Sequence, residues 1–202
     1  MSVDLADVVA GYATGHYLQD DGPGRPLTWM ARELRGVVPL DNLRVSRSVA
    51  RREHELGGRL VVDGDFAKVV RWCAEAPRAE GGVWLTDRVV DVYLRLHAAG
   101  LARSFELRRG DSLLAAEFAV TFGRVAFAES ATHTISGSGN VCSQLTLLWL
   151  RANGFKLYDI QRLSPYMERF GAVAIPRHEY EVRLRDAMTP GGRRCPPALE
   201  LA

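Results

Sequence analysis

Apolar residues change their spacing several times along this chain, and each change predicts an element. Phe66, Val69, Val70 and Cys73 recur at helical intervals behind Asp65, whose side chain can accept from the first-turn amides, and the helix must end before Pro77. A second helix follows Thr86, carries Val89, Val90, Tyr93, Leu94, Leu96 and His97 on or near one face, and stops at Gly100. From Arg103 the period falls to two. Phe105 and Leu107 alternate with Glu106 and Arg108, Gly110-Asp111 supplies a turn, and an apolar strand follows over 113–120. Gly123 breaks it, and Val125, Phe127 and Glu129 form one face of a third strand. After a loop over 130–139 come a helix over 141–153 stopped by Gly154, a buried strand over 156–161 and a strand over 173–175. A last helix starts behind Pro176 and runs through Tyr180 and Leu184.

Antiparallel strands, a crossover helix, a further strand, a helix and a final strand make an α/β fold: a mixed sheet flanked by helices, in the acetyltransferase-like (GNAT-type) arrangement. The expected division is a small N-terminal α/β lobe over 1–75, the catalytic domain over 76–188 and an irregular tail over 189–202, rich in Pro and Gly.

Composition narrows the function classes. With 202 residues, 47% of them hydrophobic, the chain can bury a core that needs no disulfide or metal staple. Its three cysteines, at 73, 142 and 195, have no paired spacing, so reduced thiols and a cytoplasmic setting are expected, with no metal and no disulfide frame. No apolar run suits a membrane span. The 26 Lys and Arg nearly balance 24 Asp and Glu, leaving +2, so only a local basic face could meet nucleic acid. Lysine stands only at 68 and 156. The remaining cations are arginines, which fork onto phosphates, although a GC-rich genome gives the same bias.

Strand alternation turns Leu157, Asp159 and Gln161 to one face, and Glu129 at the end of the preceding strand can meet them where the crossover opens the sheet. Two carboxylates and an amide in a partly apolar cleft can position an amine, accept its proton and hold a carbonyl. The plainer alternative is that Asp159 caps or pairs locally and that Glu129 is solvated. Arg44, Arg47 and Arg51 form a second candidate: if helical, Arg47 and Arg51 share a face and can grip phosphates, unless Glu53 and Glu55 neutralise them. The loop Ser136-Gly137-Ser138-Gly139-Asn140 enters a helix and can cradle an anion. Thr134 nevertheless stands where acyl-CoA transferases of this arrangement place Gln or Arg. His97 reads as a hydrogen-bonded core residue, and His133 beside the loop has no assigned role.

Taken in order, Tyr12-Ala-Thr-Gly15-His-Tyr17, Trp29, Arg35-Gly-Val-Val, Val45-Ser46-Arg47-Ser48, Trp84-Leu-Thr86, Tyr93-Leu-Arg-Leu-His97, Glu129-Ser130, Asp159-Ile-Gln161 and Gly171-Ala-Val-Ala-Ile-Pro176-Arg177 resemble the leucyl/phenylalanyl-tRNA–protein transferases. The resemblance implies a cytoplasmic aminoacyltransferase that takes an amino acid from aminoacyl-tRNA and joins it to an acceptor amine, without metal or other cofactor. The family acceptor is a protein beginning with Arg or Lys, marked in this way for the N-degron pathway; a small-molecule amine in a biosynthetic pathway and acyl-CoA-dependent N-acylation are the alternatives. Asp159, Gln161 and Glu129 would form the catalytic centre. Trp84, Trp29, Glu117, Phe127 and Ser130 would contact the donor, with the indoles near its terminal adenine, and Arg44, Arg47 and Arg51 would meet the acceptor stem.

Departures from the family pattern fall in three places, one of them the segment Arg162-Leu-Ser-Pro-Tyr-Met-Glu-Arg-Phe170-Gly-Ala, which replaces the family's Phe-Leu-Thr-Asp-His-x-x-Ser-Leu-Gly-Ala. Segment 131–144 is longer and of different composition, and Glu117 stands where the family has an apolar Met or Leu. Alternation over 113–120 puts Glu117 on the face of Leu113, Ala115 and Ala119, where a carboxylate needs a partner. Either it lines the donor pocket and turns specificity away from Leu and Phe, or it pairs internally with Arg103 or Arg124.

Overall fold

Apolar periods fold as the elements they predict, while their borders and faces depend on pairing that periodicity cannot reveal. The computed structural model describes residues 3–20, 22, 25–76 and 84–189. In chain order these form α1 (Leu5–Ala13), β1 (Tyr17–Gln19), β2 (Thr28–Met30), β3 (Leu34–Pro39), a single 3₁₀ turn, α2 (Arg47–Leu56), β4 (Arg59–Val62) and α3 (Phe66–Glu75). Then follow α4 (Asp87–Ala98), β5 (Ala102–Arg109), β6 (Ser112–Phe122), β7 (Val125–His133), α5 (Ser138–Ala152), β8 (Leu157–Gln161), α6 (Pro165–Glu168), β9 (Val173–Pro176) and α7 (Arg177–Met188). Asp65 caps α3 as expected, accepting from the Lys68 amide at 3.0 Å. Thr86 precedes α4 but does not cap it with its side chain. Its hydroxyl goes instead to Asp20, which Arg88 also holds, and this ties the loop after β1 to α4.

Seven strands form one mixed sheet in the order β4-β5-β6-β7-β8-β3-β9. Only β7 and β8 run parallel, joined by α5 as the crossover. The strands β1 and β2 pair as a separate ribbon. The boundary expected at residue 75 therefore does not separate two sheets: β3 lies between β8 and β9, and β4 is the edge strand beside β5. The apolar Val37 and Val38 of β3 are both fully buried, one toward each face of the sheet, and long-range pairing of this kind leaves no mark in local composition. The tail from residue 190 lies outside the described residues.

Two apolar layers cover the sheet. On one face α1, α3, α4 and α7 pack over Val37, Phe118, Phe127 and Leu157. On the other, α2 and α5 pack over Val38, Leu107, Ala126 and Tyr158. The expected loop 130–139 is shorter than predicted because β7 continues to His133, paired to β6 as far as Ala115↔His133. Register shifts change the faces too. Arg108 pairs with Leu113 but Leu107 with Ala115, so Leu114 bulges. In consequence Leu113 packs with the α3 and α4 layer, while Leu114 and Ala115 both pack with α5.

Gly36, in mid-β3, has no room for a side chain: a Cβ there would stand 2.6 Å from the Leu163 amide nitrogen, where the chain leaving β8 crosses β3. Gly36→Ala should cost about 1–3 kcal/mol through overpacking, and more if the crossing segment cannot shift. A lower urea midpoint with unchanged slope is the expected result.

Candidate active site

The strands β7 and β8 pair from Val125↔Leu157 to Phe127↔Asp159 and then part. Glu129 and Gln161 stand just past the last pair. The amide nitrogen of the Gln161 side chain bridges the gap, donating to the Ala128 carbonyl at 3.1 Å and, more weakly, to Glu129 Oε2 at 3.4 Å. A second bulge acts here. Phe118 pairs with Ser130 and Ala119 with Ala128, so Glu129 has no opposite residue in β6. Ser130 therefore shares the face of Phe118, which packs against Tyr93, instead of turning away from Glu129 as strict alternation requires.

Asp159 is wholly buried, and its oxygens are fully engaged. Arg35 donates to it from Nε at 2.9 and 3.0 Å and from Nη2 at 2.8 Å, Tyr180 donates at 2.5 Å, and the Gln161 backbone amide donates at 2.8 Å. The last bond closes a local turn in which Gln161 takes a left-handed conformation with φ of 61°. That turn aims the Gln161 amide across the gap. Arg35 is 1% exposed and lies between the rings of Tyr17 and Tyr180, each 5.0 Å from the guanidinium carbon. Asp159 has no oxygen facing a substrate, so it reaches the gap only through Gln161.

Glu129 is the half-buried acid of the gap. Tyr12 of α1 donates to its Oε1 at 2.6 Å, and Tyr93 of α4 donates to its Oε2 at 2.8 Å. Burial pushes the Glu129 carboxyl up from 4.5 to about 7. The two phenols hold it back, while the charge of Asp159 adds to the rise and that of Arg35 opposes it. Burial and the adjacent carboxylate drive both phenols well above their ordinary range, so they remain donors. Trp29 meets Tyr12 edge-on at 6.1 Å, and Trp84 meets Tyr93 edge-on at 6.4 Å. Trp29 lies so close on α1 that a Cβ on Gly11 would stand 2.4 Å from the indole. Both indoles are half-buried and flank the tyrosines that hold Glu129.

Other expected residues take less direct positions. Phe127 is 0% exposed and packs 5.0 Å beneath the Tyr12 ring, so it supports that ring and does not line the gap. Arg44, Arg47 and Arg51 are exposed; Arg47 opens α2, Arg51 follows one turn later, and among the described residues a 3.7 Å pair with Glu55 is all that engages Arg51. Glu117 points to the opposite face, toward α5. There it accepts from Ser143 at 2.8 Å and from Tyr158 at 3.4 Å. The internal ion pair is absent: Arg103 binds Asp63, and Arg124 donates to the Asp186 carbonyl. In the glycine loop, Ser138 is turned inward onto the Leu114 and Ile135 carbonyls. His97 donates from Nδ1–H to the Ala102 carbonyl at 2.9 Å and stacks on Phe66. Sequence reasoning assigned no role to Arg35, Tyr180, Tyr12 or Tyr93. A lone Arg opening the apolar run of β3 was the available signal for the first, whereas nothing local marks the tyrosines.

Comparison with known proteins identifies the family. The model of the leucyl/phenylalanyl-tRNA protein transferase family matches residues 37–185. A leucyl/phenylalanyl-tRNA–protein transferase of Cereibacter sphaeroides is 35% identical over 191 residues, spanning 94% of this chain and 87% of the relative. One from Chlorobaculum parvum is 31% identical over 186 residues, spanning 92% and 96%. Among solved structures, L-PGS from Bacillus licheniformis superposes with a TM-score of 0.51 at 12% identity, over 94% of this chain and 71% of that one, a likeness of fold alone.

Between pH 4.5 and 7 the folded Glu129 carboxyl keeps a proton that the unfolded chain has released. Its contribution to stability is full below 4.5 and is lost as the pH rises through 7. Urea midpoints taken from acid to neutral pH should fall more for the wild type than for Glu129→Gln. Tyr12→Phe removes a donor to the ionised form and should move the Glu129 midpoint higher in a carboxyl NMR titration.

Proposed function

The chain belongs to the leucyl/phenylalanyl-tRNA protein transferase family, and we propose that it performs the family's aminoacyl-tRNA-dependent transfer to a protein N-terminus with Glu129 as the proton acceptor. One observation carries this reading: a carboxyl titrating at about 7 stands at the parting of β7 and β8, held by two phenols and bridged by an amide. An aminoacyl ester is already activated, so alignment and proton removal are the main tasks. An α-amine titrates at about 7.7–8.0, which leaves a usable neutral fraction at neutral pH. That amine attacks the ester carbonyl, Glu129 takes its proton, and as the new amide forms and the ester bond breaks Glu129 passes that proton to the departing ribose oxygen of the terminal adenosine, which restores its carboxylate.

Gln161 is the second catalytic group, its amide holding the amine or the carbonyl at the gap. Asp159 is a positioning residue that fixes the Gln161 turn, and Ser130 flanks Glu129. Trp29 and Trp84 offer faces for the terminal adenine. The exposed Arg44, Arg47 and Arg51 meet phosphates of the acceptor stem. We read the mixed sheet as acetyltransferase-like, with the donor entering where β7 and β8 part. The cytoplasm, where charged tRNA is made and used, is the compartment that suits this reaction. The donor is an amino acid other than leucine or phenylalanine, because a buried carboxylate, Glu117, stands where an apolar wall would receive those side chains.

Transfer of label from aminoacyl-tRNA to a peptide beginning with Arg or Lys tests the assignment. Glu129→Gln should lower kcat by about 10²–10⁴ while leaving the KM for charged tRNA nearly unchanged. Gln161→Ala and Asp159→Asn should act in the same sense, with only the latter also lowering the melting temperature. Equal losses in kcat and tRNA affinity would make these residues structural. Alanine at Arg44, Arg47 or Arg51 should weaken all tRNAs alike and flatten the salt dependence of binding by roughly one phosphate's slope. Loss of a single tRNA species would contradict that role.

A further inference from the structure

Beyond the end of β8, on the α5 side of the sheet, lies a cavity of about 430 Å³ whose wall includes Glu117, Ala131, Gly139, Cys142, Tyr166 and Arg169. We propose that this cavity receives the side chain of the transferred amino acid and selects a cationic one, lysyl or arginyl or a close analogue, by pairing it with the Glu117 carboxylate. This rests on the transferase reading above and deepens it.

The path from the reacting centre to the cavity follows from pairing. β7 and β8 part after Phe127↔Asp159, and beyond that parting β7 continues into the wall of the cavity. Ala131, two residues beyond Glu129 on β7, is in the cavity wall, and Glu117 pairs directly opposite it on β6. At a strand's rise, two residues span about 7 Å, so a side chain whose ester lies at Glu129 must be long to reach Glu117. A seryl or threonyl hydroxyl, one bond beyond Cβ, falls short. The stem of lysine or arginine spans the interval, and the alanines at 116 and 131 leave it room.

The charge of the end group follows from the partners of Glu117. The residue is 5% exposed, and its protein donors are neutral hydroxyls, Ser143 at 2.8 Å and Tyr158 at 3.4 Å. Tyr166 in turn lies 3.0 Å from the Ser143 hydroxyl, which fixes that donor. Among the described residues no Lys, Arg or His forms an ion pair with Glu117. Arg169 in the wall is exposed, lies over the Tyr166 ring and reaches Asn140, so it borders the mouth and not the floor. Burial pushes the Glu117 carboxyl up, with hydroxyl donors opposing, and a cation entering the cavity would favour its ionised form. Leucyl and phenylalanyl groups would leave it unpaired, and aspartyl and glutamyl groups would repel it.

Calorimetry with hydrolysis-resistant aminoacyl-adenosine amides, bearing lysyl, arginyl, seryl, leucyl or phenylalanyl groups, tests this without any acceptor. The lysyl or arginyl amide should bind at least about tenfold tighter than the leucyl and phenylalanyl amides. The near-isosteric Glu117→Gln should weaken the favoured cationic amide by about thirtyfold or more and spare the leucyl one. Glu117→Met, its folding checked by melting, should reverse the preference. If a leucyl, phenylalanyl or seryl amide binds the wild type tightest, or if Glu117→Gln leaves the cationic amide unaffected, the inference is overturned while the transferase reading stands. If no amide binds, the assignment of the adenosine end to Trp29 and Trp84 fails with it.

Discussion

Arg35 and Asp159 meet inside the sheet, across the β3–β8 pair, at a depth where water reaches neither. Removing two charges from water is costly, and the pair is tolerable because nearly every lone pair of the carboxylate is used by Arg35, Tyr180 and the Gln161 amide. Three consequences follow. β3 must lie beside β8, which draws the N-terminal segment into the main sheet. Asp159 is withheld from substrate. Gln161 is turned into its left-handed conformation, so its side chain spans the gap to β7. A strand end that would otherwise fray becomes a fixed edge of the site.

Glu129, half-buried, and Glu117, buried, occupy opposite faces of this sheet, and their surroundings give them different tasks. Burial raises both, yet Glu129 is gripped by two phenols at the open end of the parallel pair, whereas Glu117 sits deep against α5 with Ser143 and Tyr158. The first titrates where amine chemistry runs and is reachable from the gap. The second faces a cavity, and its chemistry there is recognition by charge. The same residue type thus serves proton transfer in one setting and selection in another, the difference being set by donors and access.

The supporting layers explain why the phenols hold still. Tyr12 rests on Phe127 and Phe122 and is covered by Trp29, while Tyr93 packs between Phe118 and Trp84. Ring contacts of this kind leave each hydroxyl little freedom except toward Glu129. α1 and α4 are therefore part of the site although neither contributes a group from the sheet. On the far side α2 presents its arginines to solvent, close to the start of α5, through Arg52 bonding the Ser136 carbonyl.

Much of this protein was legible in its residues. The helices behind Asp65 and Thr86, the antiparallel strands from Arg103, the crossover helix and the convergence of Glu129 with Gln161 all follow from local periodicity, because helix and strand place side chains at fixed intervals. The ordered motifs also identify the family. What only the tertiary structure decided depends on partners distant in sequence. Strand order drew β3 and β4 into the single sheet, and bulges at Leu114 and Glu129 reset which residues share a face. A buried arginine more than a hundred residues away took Asp159 out of contact with substrate, while Glu117 received hydroxyls from Ser143 and Tyr158 and pairs with neither Arg103 nor Arg124, a pairing that was one of its two expected settings. Periodicity is a property of a segment, whereas pairing, desolvation and the choice of hydrogen-bond partner are properties of the packed whole.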